Sequence, residues 1–148
     1  MNAFDHNFAL FEVAAKALLW KDGKLLLLIG SQNGHYDFPG GRMDDSEKDL
    51  SLTDILAREI AEELGETIKF KVNDVAFVTK RYYQRDGKEH NILATYFNVD
   101  LISGDIVLSD EHTEFSWIDP KSILSHPENF ITPDEYEQYK KYFEKHGW

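Results

Sequence analysis

Three glutamates, Glu59, Glu62 and Glu63, follow Arg58 at spacings of i, i+3 and i+4. At about 100° per residue they share one face of a helix, beside an apolar stripe of Leu56, Ile60 and Leu64 that Ala57 and Ala61 close. Leu52 and Ile55 project one and two turns earlier on roughly the same side as the acids. Like charges so placed repel one another, weaken the helix and raise each other's affinity for protons, so a counter-charge is expected. Carboxylate oxygens without any Cys or paired His suit a hard divalent cation, Mg2+ or Mn2+. A solvated acidic helix face is the other reading of the same residues. The upstream chain favours the cation. Pro39-Gly40-Gly41 is a turn whose bare backbone a ligand can approach, and Glu47 follows Gly41 after five residues. A glycine turn feeding a carboxylate-bearing helix is a place to hold a metal-bound pyrophosphate.

These residues need elements to position them. Phe8 to Trp20 and Lys24 to Ile29 read as antiparallel strands joined by the hairpin signal Asp22-Gly23. Tyr36 to Arg42 (YDFPGGR) reads as a loop or strand end. The helix runs from about Ser51 to Leu64, with Gly65 as its stop. Ile68 to Tyr83 and Asn91 to Ile102 are strands joined through Arg85-Asp86-Gly87-Lys88, and Thr113 to Ile118 is a short last strand. Thr132-Pro133-Asp134-Glu135 combines an N-cap, a proline at the first helical position and a capping-box glutamate. Tyr136, Tyr139, Tyr142 and Phe143 form the buried stripe of that terminal helix, and Lys140, Lys141 and Lys145 lie toward its negative end. Two strands, a loop, a helix, three strands and a helix predict an α/β sandwich with a mixed sheet.

At 148 residues, with 42% hydrophobic and 14% aromatic side chains, the chain suits one domain with a sizeable core. The absence of cysteine excludes disulfides, thiolate metal sites and a cysteine nucleophile, and fits a reducing, cytoplasmic address. Met1 to Asn7 carries no Lys or Arg, unlike a secretory leader, and the longest aliphatic run, Leu25 to Ile29, is far too short to span a membrane. The net charge of −11 disfavours long nucleic acids and anionic membranes. Most of that excess lies between Asp44 and Glu66, where nine acids face two bases for a net of −7.

Gly41, Glu47, Arg58, Glu59, Ile60, Glu62, Glu63 and Gly65 resemble the box of the Nudix hydrolases: Gly, five residues, Glu, seven residues, Arg-Glu, an aliphatic, any residue, Glu-Glu, any residue, Gly, an aliphatic. Two departures stand out: ten residues rather than seven separate Glu47 from Arg58, and Glu66 occupies the last aliphatic position, with Ile68 as its substitute. The extra three residues lengthen the loop before the helix. Phe38 to Gly41 (FPGG) is similar to the family's approach to the box, and Glu111 with Trp117-Ile118 is similar to its distal acidic loop and final strand. The likeness covers roughly Glu12 to Ile118, so the whole chain is read as a single Nudix domain with its box at about 41–66.

The resemblance implies a Nudix-type α/β/α sandwich and Mg2+-dependent hydrolysis of a nucleoside diphosphate linked to another moiety. It implies Glu59, Glu62 and Glu63 as metal ligands, with the Gly40 carbonyl as a further one, and Arg58 as the residue that orients Glu59 by an ion pair. A box glutamate, Glu59 or Glu62, or else Glu111, serves as general base; Glu114 is the weaker distal candidate. Such a reaction needs charge neutralised at the phosphoryl oxygens and a water placed in line, which one or more divalent ions supply.

The substrate partner is a small nucleotide-type diphosphate, and its subclass stays open. No proline lies between Pro39 and Pro120, where family members selective for ADP-ribose tend to carry one. Tyr82 and Tyr83 stand sixteen and seventeen residues after Glu66, near the position of a tyrosine in members acting on dinucleoside polyphosphates. An aromatic there could stack on a base and Arg81 could pair with a phosphate; ordinary strand residues are the plainer reading. Tyr36, Phe38 and Arg42, around the glycine turn, are further candidates for substrate contact. The six histidines show no metal-ligand spacing and read as surface residues; His112 alone adjoins a candidate catalytic acid. A non-catalytic nucleotide-sensing module would keep the fold with a damaged glutamate set, whereas here the set is intact. An isopentenyl-diphosphate isomerase, which shares the fold, looks for a cysteine that this chain lacks. Dimers are common in the family, which leaves both monomer and homodimer open.

Overall fold

The computed structural model describes residues 6–30 and 35–147; Met1 to Asp5, part of the segment read above against a leader, lie outside them. The predicted hairpins form because both turns are built from Asp-Gly pairs that accept a left-handed backbone. Asp22 and Gly23 have φ of 51° and 76°, and Asp86 and Gly87 have 52° and 74°, the geometry that matches strand twist. The first turn joins β1 (Glu12–Lys21) to β2 (Lys24–Gly30), and the second joins β5 (Lys69–Arg85) to β6 (Lys88–Ser103). Within the YDFPGGR segment two short strands form, β3 (Tyr36–Asp37) and β4 (Gly40–Arg42), interrupted at Phe38 and Pro39. The last strand is β7 (His112–Ile118).

Strand order is β3-β2-β1-β6-β5, with β4 on β1 and β7 on β2. The sheet is mixed, because β1 runs parallel to β6 from Glu12↔Ile92 to Trp20↔Asp100 while the other pairs are antiparallel. β1 and β2 pair only beside their turn, at Trp20↔Leu25 and Lys21↔Lys24. Beyond that point they fork, and β4 pairs with β1 inside the fork, Lys16↔Gly40 and Ala15↔Gly41. The glycines therefore sit at the centre of the sheet's open end.

Strand alternation divides the core. Ala15, Ala17 and Leu19 face α1 (Leu52–Leu64) and pack with Leu56, Ile60, Leu64 and the substitute aliphatic Ile68. Ala14 and Leu18 face the other layer, with Phe38, Phe77, Tyr96, Ile123 of the short α2 (Pro120–Leu124) and Tyr139 and Phe143 of α3 (Pro133–Lys145). Tyr136 and Tyr142 pack against this cluster half-buried. The result is the α/β/α sandwich that the element order predicts. Ser51 caps α1 by accepting from the Asp54 N–H at 3.1 Å. Gly65, at φ 99°, ends the helix and donates to the Ala61 carbonyl. At the start of α3, Thr132 accepts from the Glu135 N–H, but the Glu135 side chain does not close a capping box; it turns inward, 1% exposed, to an ion pair described below. No helix among the described residues is long and apolar enough to cross a membrane.

Candidate active site

The site assembles where β4, inside the fork, meets α1. Both glycines are required there for reasons of space. Gly40 has φ 131°, and a Cβ on it would lie 2.2 Å from the Ala15 carbonyl oxygen. A Cβ on Gly41 would lie 2.4 Å from the Glu59 carboxyl carbon, so the missing side chain is what admits that carboxylate. Glu63 reaches the same turn from one helical turn on, and its Oε1 accepts the Gly40 N–H at 2.6 Å. Glu62 lies at the solvent edge with its side chain 59% exposed.

Arg58 holds the arrangement together. Its Nε and Nη2 donate to the two oxygens of Glu47 at 2.6 and 2.8 Å, a forked contact. Nη1 lies 2.9 Å from Glu59 and 3.1 Å from Glu62, and Nη2 donates to the Arg42 carbonyl at 3.3 Å. Glu47 in turn accepts the Asp44 N–H in a capped 3-10 turn, Asp45–Glu47. The three extra residues of the box are thus looped out between two fixed points, Glu47 and the cap Ser51, and the Glu47–Arg58 contact survives them. Glu47 draws strength from Arg58 and is held below the usual carboxylate range, and Arg58 is correspondingly raised.

Behind the carboxylates lies a set of buried charges. Lys16, 4% exposed, pairs with Asp37 at 3.0 Å and donates to the Gly40 carbonyl at 3.4 Å. Burial lifts Glu59 above its ordinary pKa, opposed by Arg58 and assisted by Glu62. Burial lifts Glu63 further, to about 7, against Lys16 and the Gly40 N–H and with Asp37 adding. Of the repulsion expected from the spacing, the push of Glu62 on Glu59 is present, but desolvation leads it. Burial also acts to raise Asp37, yet Lys16, with His112 and Arg81, outweighs it and holds that group well below the carboxylate range. Asp37, first, and Glu63 raise His112 against the effect of burial.

Gly40, Gly41, Arg42, Arg58, Glu59 and Glu111 line an open cleft of about 450 Å3, which Glu12, Met43 and Asp44 extend. The candidate substrate residues distribute unevenly around it. Arg42 borders the cleft, where its Nη1 meets Glu12 at 2.9 Å and the Tyr83 hydroxyl at 2.7 Å. Arg81 is engaged elsewhere: its Nη2 donates to both oxygens of Glu135 at 3.0 Å and to the Tyr96 hydroxyl at 3.2 Å. Arg81 and Tyr82, adjacent on β5, point to opposite faces of the sheet, so one ligand cannot meet both. Tyr82 packs edge-on against Phe11, while Tyr83 shares the Arg81 face and stacks on His90 at 4.9 Å. Phe38 is 1% exposed among Tyr96, Phe130 and Tyr139, a core ring with no surface left for a substrate. Tyr36 is half-buried on β3 and packs against the same cluster. Sequence reading passed over Lys16, Asp37 and Glu12. A lone lysine inside the apolar run Val13 to Trp20 was the available signal for the first.

The NUDIX domain family model matches residues 10–142 of the chain. No curated protein matches it. Among solved structures, a MutT protein from Methanosarcina mazei Go1 is 26% identical, with a TM-score of 0.75, the match covering 93% of this chain and 96% of that one. The E. coli ORF135 protein is 25% identical, with a TM-score of 0.70 and coverage of 93% and 91%. A C. elegans Ap4A hydrolase has the same fold at 20% identity, with a TM-score of 0.65 and coverage of 90% and 98%. The glycine-lined carboxylate cradle thus stands on a fold and in a sequence frame that extend over nearly the whole chain, and the chain belongs to the Nudix hydrolase family.

Proposed function

We propose that the protein is a Mg2+-dependent hydrolase of a nucleoside diphosphate linked to another moiety, in which water attacks a pyrophosphate phosphorus. The observation that carries this reading is the cradle: Gly41 leaves open the space into which Glu59 fits, while the Gly40 N–H fixes Glu63. The donors are oxygen atoms, which fits a hard cation. Glu59 and Glu63 would hold it, with Glu62 at the solvent edge and the Gly40 carbonyl beside them. A divalent cation there supplies positive charge to the phosphoryl oxygens and acidifies the attacking water. Arg58 positions Glu59 and keeps Glu62 near it, through contacts fixed at Glu47 and the Arg42 carbonyl. Arg42, at the rim, offers its guanidinium to a phosphate, and Tyr83 beside it offers a ring. Glu59 or Glu111, both of which line the cleft, would take the proton from water.

The nucleotide class of the substrate is supported by the Ap4A hydrolase and by an ADP-ribose pyrophosphatase from Streptococcus suis, a further structural neighbour at 17% identity. The net charge of −11 still disfavours a long nucleic acid as partner. The test is a panel of nucleoside triphosphates, dinucleoside polyphosphates, ADP-ribose and nucleotide sugars, assayed for release of phosphate or nucleotide with Mg2+ and with EDTA. Metal-dependent turnover of one class, lost by orders of magnitude in Glu63→Gln, is expected. Full activity in EDTA, or in a Glu59→Gln/Glu63→Gln double variant, would defeat the proposal.

A further inference from the structure

Behind the carboxylates of the cleft stands a buried histidine. His112 opens β7, opposite Gly30 of β2, and its side chain is 7% exposed. Its Nδ1 is fully buried and makes no hydrogen bond. That atom lies 3.7 Å from Oε2 of Glu63, the oxygen that Gly40 does not occupy. On the other side of the ring, Nε2 lies 4.0 Å from Oδ2 of Asp37, whose Oδ1 Lys16 holds at 3.0 Å. Glu111 joins the group, since one atom each of Glu63, Glu111 and His112 falls within 4.8 Å of the others. The backbone fixes their relation. The Val107 and Ser109 N–H groups donate to the Leu64 and Glu63 carbonyls at the end of α1, and the His112 N–H donates back to Ser109.

We propose that Glu63, Glu111 and the Nδ1 of His112 form a mixed oxygen and nitrogen cation site at the back of the cleft, which takes a first-row transition ion such as Mn2+ in preference to Mg2+. This rests on the reading that the α1 carboxylates hold a divalent cation. Ligand bonds of about 2.0–2.2 Å let two donors stand up to about 4.3 Å apart around one ion, so the separation of 3.7 Å needs no movement of the backbone. Imidazole nitrogen is a poor partner for Mg2+ and a better one for first-row transition ions, among which Mn2+, itself a hard ion, stands lowest, so a buried imidazole among carboxylates shifts selectivity away from Mg2+. A carboxylate behind the ring is the usual device that keeps the second nitrogen protonated and leaves the first with its lone pair toward the ion; Asp37, tied down by Lys16, stands there. The competing structure is an imidazolium lodged between Glu63 and Asp37, with no ligand role.

Pulsed EPR of Mn2+ added to the wild-type protein separates the two without any substitution. A 14N coupling from a directly bound imidazole is expected, and its absence would overturn the site. In His112→Phe the coupling should vanish and Mn2+ affinity, read by EPR titration with Mg2+ as competitor, should fall by about tenfold or more while Mg2+ affinity holds. Equal losses for both ions would also overturn it. Glu111→Gln should weaken Mn2+ more than Mg2+ with the 14N signal kept. Hydrolysis of the substrate panel without a 14N signal defeats this site alone. A 14N signal in a protein that hydrolyses nothing in the panel defeats the proposed function alone.

Discussion

Glu63→Gln should stabilise the metal-free protein. The Glu63 side chain is 5% exposed, and burial lifts its pKa to about 7 from an ordinary 4.5. A folded-state pKa above the unfolded one means that the unfolded chain gives up its proton first as pH rises. Wild-type stability is therefore lost between pH 4.5 and about 7. The difference of 2.5 pK units corresponds to about 3 kcal/mol. Glutamine has no charge to desolvate and its Oε1 still accepts the Gly40 N–H, so the variant escapes this loss. The two proteins should be equally stable at or below pH 4.5, diverge up to pH 7, and differ above it by about 3 kcal/mol, or roughly 6–12 °C in Tm. Thermal and urea unfolding in EDTA at three pH values reads this directly. A Gln variant less stable than wild type near pH 8 would refute the reasoning, because attraction to Lys16 and His112 would then exceed the cost of burial. Added Mg2+ or Mn2+ should reverse the order, since mass action raises the Tm of the protein that binds the ion.

The glycines should separate into two kinds. Gly41→Ala pushes only on the Glu59 carboxylate, so the fold should persist while kcat falls by about a hundredfold; Gly40→Ala meets the Ala15 backbone at a left-handed φ and should cost about 2–4 kcal/mol of stability, measured by urea unfolding. Arg58→Lys removes the fork that joins Glu47, Glu59 and Glu62, and should lower kcat about a hundredfold with a smaller effect on KM in steady-state assays. Arg81→Met leaves Glu135 buried without its counter-charge, which should cost about 3–5 kcal/mol and lower Tm by roughly 6–20 °C in calorimetry.

The features legible in the sequence are those decided within a few residues. Asp-Gly turns, the Thr132 cap, the Gly65 stop and the carboxylate face of α1 all depend on local geometry, and all are present. What escaped depends on pairings far apart in the chain. The β1–β6 register joins residues about eighty positions apart, such as Glu12 and Ile92. The packing of α3 on the sheet likewise joins distant residues, bringing Glu135 to Tyr96 and Arg81, whereas a local reading assigns it to a capping box. Strand alternation did contain one correction in advance: Arg81 and Tyr82 are neighbours and could never have faced one ligand together. The bulges in β5 between Val72 and Phe77 add two residues relative to β6, so the alternation resumes in phase at Tyr83. Glu47 shows the reverse case. Its spacing to Arg58 is three residues longer than in the family box, yet the partner is still Arg58, because the insertion bulges outward.

That outward bulge leaves Lys48, Asp49 and Leu50 exposed between Glu47 and Ser51, both already held by hydrogen bonds. Chain length in this stretch is set by nothing the site uses. A probe could therefore be placed a short loop away from the cleft without touching its contacts. Because the protein has no cysteine of its own, Asp49→Cys would introduce a single thiol for a fluorophore or spin label, a reporter for ion and ligand arrival built into a position where the family box has already been stretched.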